Sequence, residues 1–149
     1  MGPAAFKFAQ DKYIELTQKL TASSKGIAHL DTNALIRALE KGEVSAVDKA
    51  LSGRVPVISE MTLNEYLVKG DAKALYNFLS DRGGYVTKTK VTAQEVQQLI
   101  NLAKSLGRSL KPKDAEVVLN VMKENAPIIT RDARLIKFLN EIGAKVEDY

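Results

Sequence analysis

Short apolar runs, each closing on an acid or a turn, alternate along this chain with longer stretches of helical period. The runs at 27–30, 55–58, 85–87, 128–130 and 145–147 read as strands. Between them the spacing predicts helices over 33–39, 44–51, 63–68, 72–79, 93–106, 113–124 and 133–142. A helix between consecutive strands is a crossover, which joins parallel neighbours and leaves helices on both faces of the sheet. The expected fold class is therefore α/β, in three layers, with a mostly parallel central sheet flanked by helices. Local signals punctuate it. Thr92 with Glu95 has the spacing of a capping box, as does Thr62 with Glu65. Pro112 stands where a helix starts, Gly107 and Gly143 where helices stop, and Gly83-Gly84 breaks the chain before the strand at 85.

Composition narrows the chemistry. The 149 residues are 45% hydrophobic, enough to close the core of one ordinary domain. No run is long and apolar enough to span a bilayer, so no membrane partner is expected. The opening Met-Gly-Pro-Ala-Ala-Phe-Lys-Phe lacks the pattern of a secretory signal. Without cysteine there are no disulfides, thiolate metal sites or cysteine nucleophiles, and one histidine rules out a histidine-rich metal site. A net charge of +4 permits a polyanionic partner without demanding one.

Residues 1–24 stand apart as an expected N-terminal helical extension and linker, before a domain over 25–149. Phe6, Ala9, Tyr13, Leu16 and Leu20 recur at spacings of three and four, which marks one apolar helix face. That face either packs on its own domain, or is a remnant of a longer upstream protein or a docking surface.

Four acids hold the chemical interest. Asp31 and Asp132 follow predicted strands, and Glu65 and Asp114 open predicted helices. Each has an ordinary structural role available as a cap, a capping-box partner or a first-turn carboxylate. Together they fall at positions that face one edge of an open α/β sheet, where ligands bind. Four carboxylates meeting there repel one another by several kcal/mol when partly desolvated. A hard divalent ion such as Mg²⁺ or Mn²⁺ relieves that repulsion, polarises a phosphoryl oxygen and acidifies bound water.

The wording of these segments resembles the PIN-domain family. The matching stretches are His29-Leu30-Asp31-Thr32-Asn33, Ile58-Ser59-Glu60-Met61-Thr62-Leu63-Asn64-Glu65-Tyr66-Leu67, Lys113-Asp114-Ala115 and Ile128-Ile129-Thr130-Arg131-Asp132. The resemblance runs from about residue 27 to the end. It implies a PIN-like three-layer fold and a Mg²⁺- or Mn²⁺-dependent endoribonuclease acting on single-stranded RNA. It places Asp31, Glu65, Asp114 and Asp132 at the metal, with Thr130 orienting a carboxylate or a bound water and Asn33 supporting Asp31. Glu60 competes with Glu65, but the family's acid lies inside the helix, which favours Glu65. Many such domains are bacterial toxins held by a cognate antitoxin or immunity protein, acting in the cytoplasm. Compact toxins of that kind begin almost at their first strand, so the extra N-terminal helix looks more like a module at the end of a larger secreted effector. Two rivals stand beside this reading: a PIN-fold RNA-binding or scaffold protein without catalysis, and a structure-selective DNA nuclease.

Basic residues complete the expectation. Lys111, Lys113, Arg131 and Arg134 flank Asp114 and Asp132 as candidate phosphate contacts, against the alternative of solvated surface charge, and Lys88 and Lys90 are candidates to extend that track. His29 is expected to be buried and hydrogen-bonded. Tyr66, Tyr76 and Phe78 are expected to pack rather than stack on bases.

Overall fold

The computed structural model describes residues 26–149, so the N-terminal extension expected over 1–24 lies outside the described residues. The elements follow the order β1 (Ile27–Leu30), α1 (Thr32–Leu39), α2 (Val44–Leu51), β2 (Val55–Ile58), α3 (Glu60–Leu67), α4 (Ala72–Asp81), β3 (Tyr85–Val86), α5 (Ala93–Ser105), α6 (Pro112–Glu124), β4 (Ile128–Ile129), α7 (Ala133–Glu141) and β5 (Val146–Glu147). All four strand pairings are parallel, in the order β3-β2-β1-β4-β5. The predicted α/β sheet is the observed one. Thr87 and Thr130 carry the pairing one residue past β3 and β4, through backbone bonds to Ile58 and Glu147 at 2.8 and 3.0 Å.

Side-chain alternation along β1 builds two cores. Ala28 and Leu30 face a cluster made with α1, α2, α3 and α4, including Leu35, Val47, Tyr66 and Phe78. Ile128, beside β1 in β4, faces a second cluster made with α5, α6 and α7, including Val118, Phe138 and Leu139. Both faces of the sheet are thus covered, as parallel strands require.

Helix ends explain where the sequence reading holds and where it shifts. The Thr92–Glu95 capping box forms, with bonds of 3.1 and 2.9 Å. The Thr62–Glu65 box does not. Ser59 caps α3 instead, its hydroxyl accepting from the Thr62 N–H at 3.0 Å, so the helix starts three residues earlier than expected. Ser59 follows the apolar strand directly and has Glu60 in the first turn, which outcompetes a later start. Glu65 therefore sits inside the helix and does not open it. Gly107 and Gly143 follow α5 and α7 with φ of +74° and +75°, the left-handed exits expected of them.

Strand order determines where a site can form. The chain moves from β1 to β2 to β3 in one direction, then returns to lay β4 on the other side of β1. The reversal opens a crevice at the carboxyl ends of β1 and β4.

Candidate active site

Asp31 and Asp132 stand on either side of that crevice. Asp31 caps α1, its Oδ1 accepting from the Ala34 N–H at 2.8 Å. Asp132 caps α7, its Oδ1 accepting from the N–H groups of Arg134 and Leu135 at 3.0 and 3.2 Å. Each carboxylate oxygen has two lone pairs, so capping leaves both acids able to bind something else. The buried Thr130 hydroxyl joins them. It donates to Asp31 Oδ2 at 2.5 Å and accepts from the Asp132 N–H at 3.1 Å.

Glu65 arrives from α3 and Asp114 from the first turn of α6. All four acids line one pocket of about 60 Å³, together with Thr32, Asn33, Met61, Thr62 and Lys113. That is room for an ion and a few waters, since one water needs roughly 10–15 Å³. Glu60 is exposed and does not line the pocket. Asn33 does, but the Asp31 carboxylate bonds to Ala34 and Thr130 rather than to it.

The acids feel one another. Burial raises the pKa of Asp31, and the charges of Asp132 and Asp114 add to it, against the hydrogen bonds from Thr130 and Ala34. Burial likewise raises Asp114, opposed by Lys113 and Lys111 but reinforced by Glu65 and Asp132. Glu65 moves the other way. Burial pushes it up, but the Lys113 ammonium, the Thr32 hydroxyl and the Lys111 charge bring it below the ordinary value. Repulsion therefore connects all four carboxylates, and Lys113 relieves it at Glu65.

Among the described residues, no three histidine or acidic side chains are placed to hold one ion as they stand. The donor set nevertheless fits a hard divalent cation. It consists of carboxylate oxygens that repel one another in a partly desolvated pocket, with Glu65 already drawn onto a cation, the Lys113 ammonium.

A larger groove of about 680 Å³ shares Asp114, Asp132 and Leu135 with this pocket and is lined by Arg108, Lys111, Arg134 and Lys137. Sequence reasoning found Lys111 and Arg134 but missed Arg108, which pairs with Glu141, and Lys137, although Lys137 follows Arg134 by three residues on α7 and so shares a helix face. Lys113 faces the acid pocket, bonded to Glu65. Arg131 lines neither cavity. Its Nε donates to the Tyr149 carbonyl at 2.7 Å and its guanidinium lies 4.4 Å from the Tyr149 ring centre. Lys88 and Lys90 also line neither.

His29 is buried, its Nε2 an ion-pair distance of 3.3 Å from Glu124 Oε1. Tyr66 and Phe78 pack in the core, but Tyr76 is 70% exposed, contrary to expectation, because α4 turns its buried face through Leu75, Phe78 and Leu79.

No protein-family model matches this chain, and no curated protein matches it. Solved structures do. VapBC2 from Rickettsia felis, bound to a DNA fragment from its promoter, is 18% identical with a TM-score of 0.62, over 83% of this chain and 98% of that one. FitAcB from Neisseria gonorrhoeae is 18% identical with a TM-score of 0.58, over 80% and 96%. A PilT N-terminus domain protein from the archaeon Sulfolobus solfataricus is 17% identical with a TM-score of 0.50, over 82% and 86%. The parallel five-stranded sheet, its strand order and these likenesses together give this chain the fold of the PIN domain, the PilT N-terminus.

Proposed function

We propose that this chain is a Mg²⁺- or Mn²⁺-dependent endoribonuclease that cuts single-stranded RNA, with Asp31, Glu65, Asp114 and Asp132 as its metal-binding acids. The observation that carries the reading is that four carboxylates, from four separate segments, line one pocket at the reversal point of the sheet. A bound divalent ion would supply phosphoryl polarisation and an acidified water. The protein's own part is to hold the acids. Thr130 orients Asp31 by donating to it and steadies the backbone of Asp132 by accepting from it. Asn33, at the rim of the pocket, is in reach of a bound strand. Lys111, Arg134 and Lys137 line the groove that leads from the acids, which suits the phosphates of that strand. Arg131 lines neither cavity and bonds the Tyr149 carbonyl, so the path is drawn without it.

The partner reading follows the structural neighbours. Likeness to VapBC2 and FitAcB supports a toxin role and a cognate antitoxin or immunity protein for this chain, and the same proposal puts its action in the cytoplasm. The direct test is a Mn²⁺ titration with single-stranded RNA and flap DNA side by side, with Asp31→Asn in parallel. RNA cleavage that needs the metal and disappears in Asp31→Asn is the expected result. Preferential cutting of the flap would make this a DNA nuclease, and no cleavage of either would leave a binding or scaffold protein. Expression inside a bacterium tests the toxin role: the parent should arrest growth and Asp132→Asn should not.

A further inference from the structure

Lys113 is the second residue of α6, at the end of that helix nearest the acids. Its ammonium reaches across to α3 and bonds the Glu65 carboxylate, and the same side chain lines the acid pocket. Lys111 also carries a charge close enough to act on Glu65 and Asp114, but no direct bond joins it to either. Lys111 lines the outer groove instead. Two neighbouring lysines thus stand in different relations to the same acids.

Taking the acid pocket as the divalent-ion site proposed above, we infer that Lys113 is its built-in competitor, an internal cation that holds Glu65 until a divalent ion displaces it. The argument is one of charge and geometry. Four carboxylates with no counter-charge repel one another, and a single ammonium placed among them lowers that cost at Glu65. No three of the acids are placed for one ion as they stand, and Glu65 is the acid that is held elsewhere. An ion ligated by Glu65 beside the other acids therefore competes with Lys113 for that carboxylate, whose Oε2 the ammonium holds. A pair with both side chains partly exposed, at 45% and 35%, is weak enough to exchange. The protein is then stable without metal, yet gives up the pair when a stronger cation arrives. Lys113 acts here as a positioning residue, setting where Glu65 points and how readily the site fills.

Binding of Mn²⁺, measured by calorimetry on the full chain without RNA, tests this. Lys113→Gln removes both the charge and the bond, Lys111→Gln removes an equal nearby charge without a bond, and Lys113→Arg restores a cation able to reach Glu65. Lys113→Gln should bind Mn²⁺ about fivefold more tightly than the parent, the yield of losing a pair of this exposure. Lys111→Gln should change affinity by well under that, and Lys113→Arg should stay near the parent. In chelator, Lys113→Gln should melt below the parent, because Glu65 is left unpaired. Equal effects of Lys113→Gln and Lys111→Gln would mean that only general electrostatics is at work and would overturn the inference. So would parental affinity in Lys113→Gln. If the parent itself takes up no Mn²⁺, the nuclease reading falls and this inference with it.

Discussion

The Thr130 hydroxyl donates to Asp31 Oδ2 at 2.5 Å across 99 residues of sequence. It joins the ends of two neighbouring parallel strands at the point where the sheet reverses direction. Because the same oxygen accepts from the Asp132 N–H, one buried atom sets the spacing between two acids that also cap their own helices. Capping and metal binding are compatible roles here, since a cap fixes the carboxylate that a metal would need fixed.

Replacing Thr130 with Val removes this link with little change of volume. Asp31 loses a hydrogen bond that lowers its pKa, and the Asp132 N–H loses its acceptor. We predict a stability loss of about 1–3 kcal/mol by chemical denaturation and cleavage slower by about 10–100-fold, with Thr130→Ser recovering most of both. Unchanged activity in Thr130→Val would show that the hydroxyl does not position the acids.

Asp114 gives a prediction of opposite sign. Its pKa is raised by burial and by Glu65 and Asp132, so the native state binds its proton more tightly than the unfolded chain does. Stability therefore falls as pH rises above the ordinary value of 3.8 toward the raised one. The raised pKa means that burial and repulsion outweigh the few tenths of a kcal/mol that a first-turn carboxylate gains from the helix dipole. In chelator at pH 7, Asp114→Asn should melt above the parent, and the difference should vanish below about pH 3.8. Saturating Mn²⁺ should reverse the order, because only the parent gains full binding energy. A variant that melts below the parent in chelator would show that the acids are not crowded.

The basic groove predicts a change in salt dependence. Binding to single-stranded RNA, measured in Ca²⁺ to suppress cutting, should weaken with salt by about 0.7 in log–log slope for each phosphate contact. Lys137→Gln, Arg134→Gln and Lys111→Gln should each lower the slope by about that amount. Arg131→Gln should leave it unchanged, because Arg131 is held by Tyr149 away from the groove. A loss of slope in Arg131→Gln with none in Lys137→Gln would move the RNA path to the other side of the acids.

Most of the architecture was legible because a parallel sheet writes itself into the sequence as short apolar runs spaced by helices. The meeting of the acids was legible for the same reason, since Asp31 and Asp132 mark the ends of strands. The start of α3 was misplaced because Thr62 and Glu65 imitate a capping box while Ser59, three residues earlier, holds the position. Pairings between distant long side chains leave no local pattern. Lys113 and Glu65 lie 48 residues apart, and nothing in either neighbourhood announces the other. Arg131 was assigned by adjacency to Asp132, but successive residues leaving a strand point to opposite sides, and Arg131 turns to Tyr149.

The proposed site requires that all four carboxylates serve one divalent ion. Single-turnover cleavage of a single-stranded RNA in Mn²⁺, run for Asp31→Asn, Glu65→Gln, Asp114→Asn and Asp132→Asn beside the parent, tests it most directly. Every variant should be slower by at least about a hundredfold, the usual cost of removing one element of charge stabilisation. One folded variant that cuts at the parental rate would show that its carboxylate is no part of a shared ion site.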